Sequence, residues 1–279
     1  RDLEKFADRE APQVPIINHP DVRRMLLWMK AHVEGMRSFA YYTTRCFDKL
    51  ANSEDEKEKE HYQGMVDLLT PLVKAYCAQR GYDVCIEAIQ VYGGYGYTRE
   101  YPVEQIARDC KIASIYEGTD GIQAMDLLAR KIGMKKGKVF IEFLEKIQKT
   151  IAQARKQEAL LPLADKLETA MNALGECAMH LGQKAMSPEL KVAFAHAFPF
   201  LEVMGDVTMG WMLLWRAVVA SEKLQNGAKK KDVGFYEGQI QTAAFFMNTV
   251  LPVTHGTMVS IKDFDGSAVE IADAAVGGL

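Results

Sequence analysis

AIQVYGGYGYTREYPVEQIARDCKIASIYEGTDGIQ, residues 88–123, is the stretch on which the reading of the fold turns. It opens as the end of a helix, with Val84, Ala88 and Val91 on one side, and Gly93-Gly94 stops that helix. Gly93-Gly94-Tyr95-Gly96 has the look of a dinucleotide-binding glycine loop, but that motif follows a strand, and here a helix precedes it. The glycines still allow a ligand or a second backbone to approach closely. Pro102 suits a first helical turn, and the spacing predicts a helix over Val103–Ala113. Arg108 and Asp109 on that helix read as an internal ion pair that orients the following turn. Thr119 is a good N-cap for a helix from Asp120 to about Lys131, ending near Gly133. Tyr116-Glu117-Gly118-Thr119 is therefore a turn joining two helices, with a carboxylate just ahead of a helix N-terminus. The helix dipole lowers the pKa of such a carboxylate, whereas burial against Tyr116 and an apolar substrate raises it. A base tuned in this way suits proton abstraction beside a carbonyl. Without further information, composition and spacing favour a purely structural turn residue at Glu117.

Working outward, the rest of the chain is helical in pattern and the fold class is all-α. Residues 1–20 hold Pro12, Pro15 and Pro20 with little periodicity and read as an irregular lead-in. Val22, Met25, Met29, Val33, Met36, Ala40, Phe47 and Leu50 recur at helical steps and predict a long amphipathic helix. The charged run 53–60 is a solvated loop or the first turns of a second helix, which continues through Met65, Leu69, Leu72 and Tyr76 to Gly81. Pro71 inside it predicts a kink, or two helices. Beyond Lys131, stripes at Phe140, Phe143, Leu144, Ile147 and Ile151, and at Leu163, Leu167, Met171, Leu174 and Leu181, predict two more helices. A further helix over 201–224 carries Trp211 and Trp215, with Pro199 separating it from a short piece at 189–198. Residues 235–262 continue the pattern with a kink at Pro252, and Ser267 caps a last short helix. The domain reading is a lead-in over 1–20, a four-helix-bundle-type unit over 21–134, and a second helical bundle over 135–279.

Composition narrows the function classes. The 279 residues are 48% hydrophobic, enough for a large core, and carry a net charge of −3, without the basic excess of a nucleic-acid binder. No run of about 18 uninterrupted apolar residues occurs, so no membrane span is expected. Five cysteines, Cys46, Cys77, Cys85, Cys110 and Cys177, have no close pairs and read as reduced thiols of an intracellular protein. His180, His196 and His255 are too dispersed to predict a metal site, and Lys229, Lys230 and Lys231 read as a solvated turn. The chain begins Arg1-Asp2, as a piece cut from something longer would.

The quoted stretch resembles the signature region of the acyl-CoA dehydrogenases, nearly position by position through Gln90, Gly93, Gly94, Gly96, Glu100, Pro102, Glu104, Arg108, Tyr116, Glu117, Gly118, Thr119 and Gln123. INHPDV at residues 17–22, followed by a long helix, is similar to the start of that family's C-terminal helical domain. The resemblance implies FAD as cofactor and an acyl-CoA as substrate. Glu117 would remove the α-proton while the β-hydrogen leaves as hydride to flavin N5. The Glu117 amide and a ribityl hydroxyl would polarise the thioester carbonyl. Thr119 would lie near the flavin's ribityl or phosphate part. Gln90, Gly93 and Gly94 would contact the adenosine and pyrophosphate across a subunit interface, and Tyr116 and Gly118 would line the acyl channel. It further implies a homodimer or homotetramer, an electron-transfer flavoprotein as acceptor and a bacterial cytoplasmic setting. Residues 135–279 resemble the extra helical domain of the larger bacterial members, including those acting on 3-methylmercaptopropionyl-CoA. The family's arginine-rich R-x-x-F-G pattern does not surround Arg9, and Arg130 stands one place off the position of a CoA-contacting arginine. The family's N-terminal helical and middle β-domains have no counterpart here, so the isolated chain is expected to be inactive. A same-fold flavoenzyme on another substrate and a non-catalytic helical interaction module remain as alternatives.

Overall fold

A computed structural model describes residues 7–8 and 10–277. Arg9, and the pattern sought around it, lies outside the described residues. After a single 3-10 turn at Ile16–Asn18, helix α1 (Pro20–Asn52) begins with proline in its first turn, where no amide hydrogen is needed. Its buried face runs through Met25, Ala31, His32, Gly35, Phe39, Thr43 and Cys46. That stripe is rotated from the predicted one, since Val33 and Phe47 face solvent. Small and polar residues occupy it because α1 packs closely: a Cβ on Gly35 would stand 2.9 Å from Met209 Sδ.

Asp55 caps α2 (Glu56–Tyr92), accepting from the Lys57 amide at 2.8 Å. Instead of breaking at Pro71 or Gly81, α2 is one helix of 37 residues with Pro71 buried inside it. Tertiary packing on several sides of α2 holds it through the missing hydrogen bond. Gly93, at φ 62°, ends it. A one-turn helix α3 (Gly94–Tyr97), α4 (Val103–Lys111) and a 3-10 turn at Ile112–Ser114 lead to the Tyr116–Thr119 turn. Helix α5 (Asp120–Asp126) follows and runs into a π-helical turn at Leu127–Lys131, closed by the Ile132 amide on the Leu127 carbonyl at 3.0 Å.

The second half comprises α6 (Lys138–Ala154), α7 (Leu161–Ala185), α8 (Leu190–Ala195), α9 (Ala197–Gln225), α10 (Val233–Thr249), α11 (Leu251–Asp263) and α12 (Ser267–Glu270). Two prolines act differently from the sequence expectation. Pro199 lies inside the first turn of α9, and the break falls at His196. Pro252 starts α11 and separates it fully from α10. Ser267 stands inside α12 rather than capping it, its hydroxyl donating to the Asp265 carboxylate. Among the described residues there is no strand. His180 and His196, dispersed in sequence, both pack on the Phe264 ring at 5.3 and 5.5 Å.

Helix α9 lies at the centre, against α1, α2, α5, α6, α7, α10 and α11. It is long and apolar enough to cross a membrane, but most of it is buried in the core, which accounts for its composition. The buried side chains of both halves form one contiguous cluster. Within it α2 meets α9 closely, where the Tyr76 ring lies over Gly205 and any Cβ there would fall 1.9 Å from the ring. The Tyr76 hydroxyl donates to Asp206 at 2.7 Å, and Thr254 on α11 donates to the other Asp206 oxygen at 2.8 Å. Arg80 reaches Asp83 at 3.1 Å, Glu202 at 3.3 Å and Asp206 at 3.7 Å. His32 lines a pocket together with Arg80, Glu202 and Asp206, and its Nδ1 donates to the Trp28 carbonyl at 2.9 Å. Burial holds the His32 imidazole below its usual range, and Arg80 acts in the same direction.

Replacing Gly205 by Ala should destabilise the protein by about 1–3 kcal/mol through overpacking. Gly175→Ala on α7 meets Leu144 at an ordinary 3.7 Å and should be neutral or stabilising by up to ~1 kcal/mol. Urea titration of the two variants reads the contrast, and equal effects would refute the close contact. His32 adds stability that is full above its unfolded pKa of about 6.5 and is lost as pH falls toward its lower folded value. A His32→Gln variant should therefore show a smaller loss of urea midpoint than wild type between pH 7.5 and 5, taken as roughly the span around that pKa.

Candidate active site

The turn between the 3-10 segment and α5 carries unusual backbone geometry. Glu117 has φ 53° and Gly118 φ 90°. A left-handed conformation at a residue other than glycine costs on the order of 1–3 kcal/mol, so the surroundings must impose it. Three interactions do so. Lys74 on α2 donates from Nζ to the Gly118 carbonyl at 2.5 Å. The same Nζ stands 3.6 Å from Asp120 Oδ1, an ion-pair distance without a hydrogen bond. Thr119 caps α5, its Oγ1 accepting from the Ile122 amide at 3.3 Å. A side chain at Gly118 would collide with Gln123 Nε2, 2.6 Å from an added Cβ. Only glycine therefore fits there without moving Gln123.

Asp120 is buried at the first position of α5. Burial raises its carboxyl pKa above the usual range, against the opposing pull of Lys74 and then Lys111. Lys74 and Asp120 were not singled out by the sequence reading. The available signal was a lysine set among Leu72, Val73, Ala75 and Tyr76 on the most buried part of α2. A charge in such a run needs a partner across the helix.

The Glu117 carboxylate is exposed and has no hydrogen-bond or ion-pair partner among the described residues. Around it the surface is apolar: Ile112, Ile115, Tyr116, Ile122 and Met125 are all exposed, Tyr116 by 52%. Large side chains left open beside an unpartnered carboxylate mark a binding surface. Tyr116, Glu117, Gly118 and Thr119 are thus presented together.

Gln90, Gly93 and Gly94 are placed elsewhere. They are exposed at the C-terminal end of α2, beside the Tyr92, Tyr95 and Tyr101 rings, which contact one another at 5.3 and 5.9 Å. At 1.5 Å per residue, Gln90 lies about 24 Å along α2 from Lys74, so one chain does not bring the two groups together. A Cβ at Gly93 or Gly94 would meet nothing within 4 Å, which leaves the backbone open to an incoming group. Arg108 does not form the predicted internal pair with Asp109. It is exposed and bonds Glu104, one turn back, at 3.0 Å, the i,i+4 geometry that a helix surface favours. Arg130 is also exposed, its guanidinium held by Asp126. Among the described residues no cluster of three or more His, Cys, Asp or Glu is arranged to hold a metal ion.

Comparison with known proteins bears on both halves. A family profile described as acyl-CoA dehydrogenase, C-terminal domain, matches residues 3–132, and one described as acetyl-CoA dehydrogenase C-terminal like matches residues 143–272. A 3-methylmercaptopropionyl-CoA dehydrogenase of Ruegeria pomeroyi is 38% identical over 239 residues, covering 85% of this chain and 40% of that protein. A butyryl-CoA dehydrogenase of Syntrophomonas wolfei is 34% identical over 275 residues, 98% of this chain and 44% of that one. The crystal structure of a Bacillus anthracis acyl-CoA dehydrogenase complexed with FAD shares the fold, with a TM-score of 0.70 at 17% identity over 98% of this chain and 47% of the other. The chain thus spans less than half the length of these relatives. Its helical architecture, its Tyr-Glu-Gly-Thr turn and two profiles that between them match nearly all of it carry one conclusion: the chain belongs to the acyl-CoA dehydrogenase family.

Proposed function

We propose that the chain is the helical C-terminal part of an FAD-dependent acyl-CoA dehydrogenase, converting an acyl-CoA thioester to the trans-2-enoyl-CoA with Glu117 as the base. The observation that carries this is an unpartnered carboxylate held in a left-handed turn amid exposed apolar side chains. The Glu117 carboxylate takes the α-proton and becomes a neutral carboxylic acid. Its fixed turn holds the oxygen at the α-carbon without waiting for a rotation of the main chain. The Glu117 amide donates to the thioester oxygen as negative charge develops there. Tyr116 and Gly118 line the acyl side, the tyrosine supplying apolar surface and the glycine its lack of a side chain. When bound, the flavin supplies a hydride acceptor for the β-hydrogen, and an electron-transfer flavoprotein is the class of partner that would reoxidise it.

The residues present fit FAD at two places. Thr119, at the start of α5, keeps its hydroxyl proton free because its oxygen accepts the capping bond. The buried Asp120 behind it argues for the neutral ribityl chain there rather than a phosphate. Gln90, Gly93 and Gly94 offer open backbone to the adenosine and pyrophosphate end. The distance of about 24 Å along α2 from Gln90 to Lys74, which holds the Gly118 carbonyl, supports an assembly of at least two copies, each completing a site of the other. On this reading the catalytic unit requires the rest of the longer polypeptide, and the 279 residues alone are inactive. Five free thiols are consistent with a reducing bacterial cytoplasm.

In the full-length protein, Glu117→Gln should lower kcat by roughly 10²–10⁴-fold and abolish exchange of the substrate α-proton with solvent deuterium. Retained exchange would remove Glu117 from its role. Gly94→Val should leave the unfolding midpoint unchanged, because the chain itself has room for the side chain, yet should cut the FAD bound per chain as measured by flavin absorbance. Full FAD content in that variant would refute the assignment of Gly94.

A further inference from the structure

Away from the Glu117 turn, a trough crosses α1, α6, α9 and α10. Its wider end, about 450 Å³, is walled by Tyr41, Tyr42, Trp215, Val219, Phe235 and Tyr236. The narrower end, about 210 Å³, lies beside Tyr62 and Trp211 and carries Lys146 and Lys149. Tyr42, Arg45 and Trp215 line both ends, so the two adjoin across these side chains. Tyr62 is its one lining residue on α2, about 18 Å along that helix from Lys74.

The walls are preformed. Trp211 donates from Nε1 to Thr150 at 2.8 Å and stacks on Trp215 at 6.2 Å, with Tyr42 edge-on to Trp211 at 4.9 Å. Arg216 is tied to Gln239, Ser38 and Glu34 at 2.7, 3.0 and 3.1 Å, so its charge is already answered. Arg45, Lys146 and Lys149 are not. Of the acids on or near α1 and α6, Glu34 pairs with Lys30 and Arg216, Glu58 with Lys49 and Glu142 with Lys138 and His61, and no ion pair joins these three cations to an acid among the described residues. No aspartate or glutamate lines either end, in a chain whose net charge is −3. An aromatic slot of small-molecule size that opens onto uncompensated cations has the chemistry of a site for an amphiphile with a negative head.

We infer that this trough binds a small amphiphilic anion at a site separate from the Glu117 turn. An aryl or medium-length alkyl body lies between Tyr41, Trp215 and Phe235, and a carboxylate or phosphate head meets Arg45, Lys146 and Lys149. The inference draws on nothing assigned to Glu117 or FAD, so it stands or falls separately from the proposed reaction.

Equilibrium dialysis of the flavin-loaded full-length protein against radiolabelled decanoate, decyl phosphate and decanol, each below its aggregation limit, tests it. The two anions should saturate one site per chain, roughly tenfold tighter than decanol, and which of them binds tighter identifies the head group. Raising the ionic strength to ~1 M should weaken the anions and leave decanol unchanged. Lys146→Glu combined with Lys149→Glu should erase the preference for anions, and Val219→Trp should block all three ligands. The inference is overturned by an absence of saturable binding, by equal affinity for decanol and decanoate, or by binding that survives in both variants. Displacement of decanoate by saturating acyl-CoA would overturn it too, since that would put the ligand at the Glu117 turn.

Discussion

The contact between the Tyr76 ring and Gly205 fixes how α2 meets the central helix α9. The aromatic face lies against the α9 backbone and leaves no room for any side chain at 205. The Tyr76 hydroxyl would be stranded in that interior, and Asp206 answers it while also holding Thr254 of α11 and standing near Arg80. Removing one member of such a network leaves the others buried without a partner, which costs more than the bond itself contributes. The two matched segments meet here in one core.

The same helix carries this constraint to the turn. Lys74 and Tyr76 are two residues apart on α2 and so point about 200° apart around it. One side grips α9 while the other holds the Gly118 carbonyl and faces Asp120. The strained Glu117 backbone is therefore referred to the centre of the protein through a single helix. That arrangement suits the role proposed for Glu117, a base whose oxygen has to meet a carbon atom at a fixed distance.

Much of this was legible in the sequence where local rules decide. The Tyr-Glu-Gly-Thr turn, the cap at Thr119, the stop at Gly93 and the stripes of α6 and α7 follow from capping chemistry and periodicity. Legibility failed where distant packing overrules a local preference. Pro71 breaks nothing because α2 is held by neighbours on several sides, and the face of α1 that is buried includes Gly35, His32 and Thr43, which no hydrophobic pattern selects. At the site, the sequence named the residues of the turn itself and missed the pair behind them. Lys74 is 43 residues from Glu117 in sequence and becomes its neighbour only through the fold. Arg108 shows the converse, where a pairing read from adjacency gave way to one a helical turn away.

Helix α9 has a consequence for how the chain is made. It is apolar enough to resemble a membrane segment until its neighbours cover it. Synthesis from the N-terminus delivers α1, α2, α5, α6 and α7 first, so most of the helices that cover α9 precede it along the chain. Only α10 and α11 arrive later, to close the remaining side. The order of the elements along the chain thus acts as a built-in chaperone, shortening the interval in which the greasiest helix meets water or a lipid bilayer.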